Sequence, residues 1–225
     1  MGSSTVAFGL DATMFSDAVN LAAPARTPVQ SLALFERLGD VVAHADTLLY
    51  GLDPWVFTQE YQKRDPVRGQ RHGISGFRIY RRILQSEPKL VVGPVPDMRG
   101  TQILTDIPKN FDGPVTEWFG EDRMWDEASF ASLEKLIIFA QENGTTVILW
   151  IPPRRSDWRR EYEMCCSDIE TEFMARIRAV SSDIPIINHS DIISEDDEAR
   201  MFMDGVHLSR EGQVFATQRT RKELE

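Results

Sequence analysis

The chain has little of what would narrow its chemistry fastest. Of 225 residues only two are cysteine and four are histidine, and none has the spacing of a zinc or other metal site, so no metal is expected. The cysteines are neighbours, Cys165 and Cys166. Adjacent residues in a predicted helix are poorly placed to bridge each other, so they give no disulfide framework and say little about compartment. Basic residues are outnumbered: 25 Lys and Arg against 35 Asp and Glu give a formal net charge of −10. Without a basic stripe to neutralise phosphates, nucleic acid and anionic membrane surfaces are disfavoured as principal partners. No apolar run reaches the ~18 residues of a membrane span, and no signal-peptide pattern is present. The glycines form neither a P-loop nor a dinucleotide fingerprint.

What remains is an ordinary globular composition, 42% hydrophobic and 27% charged, long enough for one domain with a sizeable core. Residues 14–18 read as a helix and Val19-Asn20-Leu21-Ala22 as a short strand. Thr27 and Pro28 are an N-cap and a first helical residue, and Leu32, Phe35, Leu38 and Val42 form the apolar stripe of the helix they open. Thr47 to Gly51 reads as a buried strand, making residues 19–51 a βαβ unit. The pattern then loosens, and residues 55–124 read as an insertion or lid over one end of the sheet, with a helix at 74–84. Regular structure returns with a helix over 127–142 closed by Asn143-Gly144, and the strongest strand, Thr146 to Ile151, follows. A long helix over 157–180, a strand at 184–187 and a final helix capped by Ser209 complete an α/β layered fold. The mixed-sign cluster Arg154, Arg155, Arg159, Arg160, Glu161 and Glu163 reads as a solvated helix face.

In an open parallel sheet, sites form beyond the carboxyl ends of the strands. That singles out residues 23–26, Asp53-Pro54-Trp55, residues 152–155, His189 with Asp191, and the loop Met203-Asp204-Gly205-Val206-His207-Leu208-Ser209. In this last stretch a carboxylate and an imidazole stand three residues apart just before a helix start. Such a pair suits an Asp that fixes the tautomer of a His acting as general base, although an Asp-x-x-His also occurs as a polar loop with a turn-capping Asp. His44, at a helix end, and His72, among arginines, read as structural and surface residues. Trp55, Trp150 and Trp158 fall near strand ends, where they suit stacking on a sugar, with core packing an equal alternative for Trp150.

Four blocks then carry a resemblance. Gly2-Ser3-Ser4 with Phe8-Gly9-Leu10-Asp11, the Asn20 stretch running to Ala25, Tyr50 to Trp55, and Asp204 to Ser209 resemble the SGNH (GDSL-like) hydrolase superfamily. The branch they look most like holds bacterial polysaccharide and cell-wall O-acyltransferase-like proteins. The resemblance implies a three-layer sandwich with a parallel, flavodoxin-like sheet. It also implies a catalytic triad of Ser4 as nucleophile, His207 as base and Asp204 as its orienting partner, with oxyanion or substrate-binding positions at Ala25 and Asp53. Ala25 stands where the family has glycine, and Asp53 where it has an asparagine donor; an ionised carboxylate only accepts. The implied activity is that of a serine esterase or O-acyltransferase that needs no metal or organic cofactor, acting on acyl groups (acetyl above all) of carbohydrate or cell-envelope polymers, or on a small ester. The alternatives are a non-catalytic glycan- or partner-binding domain of the same shape, and a flavodoxin-like binding module whose motif matches are accidental. Because only Met1 and Gly2 precede the serines, the first strand is expected to be missing or truncated, with any membrane anchor lying upstream. The resemblance suggests a cell-envelope or periplasmic location, and a complete chain would suggest the cytoplasm.

Overall fold

A computed structural model describes residues 1–22, 26–39, 45–64, 115–119 and 123–225, the side chains of Ser4, Lys63 and Arg64 excepted. The expected helix at 74–84, His44, His72 and Ala25 lie outside these residues, as does most of the expected insertion.

The β-branched and aromatic run of Thr146 to Ile151 becomes the central strand. With β1 (Thr47–Gly51), β2 (Thr146–Ile151) and β3 (Ile186–Asn188), the described residues form a three-stranded parallel sheet in the order β1-β2-β3. Thr47 registers with Thr146 and Gly51 with Trp150, while Leu149 registers with Ile186. The described helices are α1 (Ser4–Ala7), α2 (Pro28–Leu38), α3 (Gln59–Arg64), α4 (Thr116–Phe119), α5 (Glu127–Glu142), α6 (Ser156–Val180), α7 (Glu198–Met201) and α8 (Arg210–Leu224). The class is α/β, as the alternation of patterns requires.

Local chemistry sets the helix ends. Thr27 accepts from the Gln30 amide and the Gln30 side chain accepts from the Thr27 amide, a capping box worth about 1 kcal/mol, with Pro28 opening α2. Asp126 caps α5, and Gly144, at φ 78°, takes the left-handed turn that ends it. The N-terminus of α6 is capped from a distance: both Glu198 carboxylate oxygens accept from Ser156, its amide at 2.6 Å and its hydroxyl at 2.8 Å.

Side-chain alternation divides the core. Val147, Leu149 and Ile151 join the large cluster built by α2, α5 and α6, while Trp150 points the other way into a cluster with Val6, Ala7, Leu10 and Ala22. Val56, Phe57, Val115 and Phe119, at the ends of the expected insertion, belong to the large cluster. At the free side of β1 the first residues pair as a strand would. Met1 donates to the Leu49 carbonyl at 2.6 Å, and the Gly51 amide donates to the Met1 carbonyl at 2.9 Å. Burial, reinforced by Arg26, lowers the Met1 amine to about 5.

Three expectations need correction. Val19 to Ala22 is not a strand: the Asn20 amide donates to the carbonyls of Val6, Ala7 and Leu10, and its Oδ1 accepts from the Ala22 amide. A polar side chain has taken over the bonding a ladder would have used. The helix expected at 14–18 is only a 3₁₀ turn, Ala12–Met14, capped by Asp11. Cys165 and Cys166 are joined by a disulfide, at a point where α6 departs from helical geometry (Cys166 φ −144°, ψ 21°). The helical constraint that argued against the bridge is released there.

Gly51 seats α1 on the sheet, because a Cβ at that position would collide with the Val6 side chain. Gly51→Ala is expected to destabilise the fold by about 1–3 kcal/mol through overpacking. Val6→Ala in the same chain should recover part of the loss, as read by denaturant unfolding.

Candidate active site

The loop after α7 is built by its own sequence. Phe202 and Leu208 form an antiparallel bridge, and the Met203 amide donates to the His207 carbonyl at 2.8 Å, closing a tight loop. Inside it, Asp204 Oδ1 accepts from the amides of Val206 (2.8 Å) and His207 (2.7 Å), the turn an aspartate makes with residues two and three further on. Asp204 Oδ2 lies 2.6 Å from His207 Nδ1, with both side chains almost fully buried. That contact places the proton on Nδ1 and leaves Nε2 as the basic nitrogen. Burial works to raise the Asp204 carboxyl, but the hydrogen bonds and charge of His207, with the two backbone amides, outweigh it and hold it below the usual range. Gly205 lets the loop lie against α6: a Cβ there would come within 2.6 Å of Trp158 Cδ1. Ser209 then caps α8, as its sequence position predicts.

The amino-terminal block approaches this loop. The Phe8 ring packs edge-on against the His207 imidazole with centroids 5.9 Å apart. Ser4 is the first residue of α1, and the Ala7 amide donates to the Ser3 carbonyl at 3.0 Å to close the turn. Ser3 and Thr5, on either side of Ser4, both donate their hydroxyls to Oδ2 of Asp53, which follows β1. Asp53 is fully buried, and its Oδ1 has no hydrogen-bond partner among the described residues. Burial raises its carboxyl above the usual range, against the opposing pull of the two hydroxyls, Arg154 and His207. The residue expected at the oxyanion position is therefore an acceptor for the hydroxyls flanking Ser4.

Sequence reasoning placed Arg154 among the residues beyond the end of β2 but also read it as part of a solvated helix face. It is almost entirely buried, not on a solvated face, with its guanidinium 5.5 Å from the ring of Trp55, 5.3 Å from Trp158 and 5.6 Å from Tyr162. The signal was available in outline: Trp158 and Tyr162 follow Arg154 at helical spacing, just beyond the end of β2. Trp55 and Trp158 are themselves buried and enclose Arg154, so they are not open sugar platforms. Beside them runs a cleft of ≈ 470 Å³ lined by Arg154, Arg159, Tyr162, Ser167, Glu170 and Ser190. His189 is buried among Trp150, Thr220 and Glu223. Trp150 Nε1 donates to its Nδ1 at 2.9 Å, so its Nε2 carries the proton toward Glu223 at 3.0 Å. Among the described residues no group of three or more His, Cys, Asp or Glu could hold a metal ion. No protein-family model matches the chain, and no curated protein matches it.

The two buried carboxylates give opposite pH signatures. Asp53 binds its proton more tightly folded than unfolded. Its contribution is full below the unfolded value, near 3.8, and is lost as pH rises through the raised folded value. Asp204 contributes above that value and loses its contribution as pH falls through its lowered one. Asp53→Asn, which cannot ionise, should gain stability relative to the parent as pH rises from about 4 toward neutrality. Urea melts across that range read the difference.

Proposed function

We propose that this chain is a serine esterase or O-acyltransferase of SGNH type, with a flavodoxin-like sheet, acting on acyl groups (acetyl above all) of carbohydrate or cell-envelope polymers. The observation that carries the reading is the buried Asp204–His207 pair at 2.6 Å, packed through Phe8 against the segment that bears Ser4. In this reading Ser4 Oγ attacks the acyl carbonyl and gives its proton to His207 Nε2, whose imidazolium Asp204 stabilises. The departing sugar oxygen takes that proton from His207, leaving an acyl-serine. Water or a second sugar hydroxyl, deprotonated by His207, then accepts the acyl group, and His207 returns that proton to the departing Ser4 Oγ. The cleft that Arg154 helps to line shares no lining residue with the Asp204–His207 loop, and its guanidinium, carboxylate and hydroxyl groups suit a hydroxyl-rich ligand.

A second reading, a non-catalytic domain of the same shape that binds glycan or a partner protein, draws on Asp53. An acceptor stands where a transition-state donor is expected, and a lost donor of that kind costs on the order of 10²–10³ in rate.

Intact mass after exposure to a serine-directed fluorophosphonate separates the two. One adduct is expected on the parent chain and none on Ser4→Ala. His207→Ala should slow labelling by on the order of 10²–10⁴-fold, the share a general base supplies. A folded parent chain that takes no adduct overturns the enzymatic reading and leaves the binding one.

A further inference from the structure

Ser4 is bracketed in sequence by two hydroxyl residues, and both reach the same oxygen of a residue about fifty positions away. Thr5 Oγ1 lies 2.5 Å from Asp53 Oδ2, Ser3 Oγ meets that same Oδ2, and the two hydroxyls are 3.2 Å apart. Ser3, Thr5 and Asp53 are all at most 3% exposed, so water does not compete for these bonds. The Thr5 amide adds a bond to Ser3 Oγ at 3.4 Å. A four-residue helix has almost no stability of its own, because the backbone must be fixed before its bonds form. Something outside α1 must therefore hold it, and the polar contacts at its first turn converge on Asp53.

We propose that Asp53 is a positioning residue: by taking the hydroxyls of Ser3 and Thr5 it pins the turn that carries Ser4, fixing that residue's backbone for chemistry. The role rests on the serine-hydrolase reading, but the clamp itself does not. It also gives the acid at this position a use distinct from direct contact with substrate. What the clamp requires is an acceptor at the place of Oδ2, and a neutral acid or an amide supplies one as well as a carboxylate does.

The test compares Asp53→Ala, Asp53→Asn and the double variant Ser3→Ala/Thr5→Val with the parent chain, each confirmed folded by its thermal transition. Two readouts are taken: hydrogen exchange at the Ala7 amide, which closes the turn onto Ser3, and the rate of fluorophosphonate labelling. Asp53→Ala and the double variant should each speed Ala7 exchange at least tenfold. Each should also slow labelling by about 10²-fold, the penalty for a reacting group displaced by about an ångström. Asp53→Asn should recover most of both, and adding Asp53→Ala to the double variant should change little further, because all three residues act as one unit. Unchanged Ala7 exchange in Asp53→Ala and the double variant overturns the clamp. Exchange that responds while labelling stays at the parent rate overturns the positioning role. Exchange that responds in a chain that takes no label at all removes the serine-hydrolase reading, and the positioning role with it, while leaving the clamp in place.

Discussion

Parallel pairing on both sides of β2 is the constraint on which the other features rest. A parallel ladder runs every strand in one direction, so Asp53, Arg154, His189 and the segment after Ser3 all emerge at the same end of the sheet. The crossover helices that such pairing demands cover the sheet's faces and supply the apolar surface it needs. α5 and α6, between β1 and β2 and between β2 and β3, carry much of the larger core. Chemistry-bearing residues far apart in sequence thus meet without long-range polar contacts having to organise the fold. The polar contacts act later, as local fasteners on an already convergent framework.

Those fasteners have a common form. Asp204 ties its own loop by accepting two amides and the imidazole, Glu198 caps the helix that follows Arg154, and Asp53 gathers the hydroxyls around Ser4. Each is a buried acid that accepts from nearby N–H or O–H groups, although Asp53 Oδ1 is left without a partner among the described residues. A net charge of −10 is therefore not only a surface property, since part of the acidic excess is built into the framework.

Much of this was legible from the residues. The Thr27-Pro28 start, the Asn143-Gly144 stop, the strand at Thr146 and the Ser209 cap depend on neighbours within one turn, and local chemistry settles them. The Asp204–His207 contact was legible for the same reason, lying within three residues. What escaped was tertiary. Val19 to Ala22 has an acceptable strand composition, yet the Asn20 amide had three carbonyls of another segment within reach, and that competition leaves no trace in a window of four residues. Arg154 looked like one charge in a solvated run because its three aromatic neighbours come from two separated stretches. Asp53 looked like a defective donor, because the hydroxyls it serves come from residues about fifty positions earlier in the chain.

The Trp150–His189–Glu223 chain has a directional character that constrains what can replace its middle member. Donation runs one way, from the indole into Nδ1 and from Nε2 out to the carboxylate at the far end of α8, about 20 Å from the residue that opens that helix. Position 189 must accept on one side and donate on the other. Glutamine has both polarities and can stand in with a change of reach. Lysine has only donors and would set two of them face to face in a dry interior, and leucine would leave the indole N–H with no acceptor. The identity of this buried residue is therefore set by the polarity of its two neighbours, and a change at 150 or 223 alters which side chains 189 can tolerate.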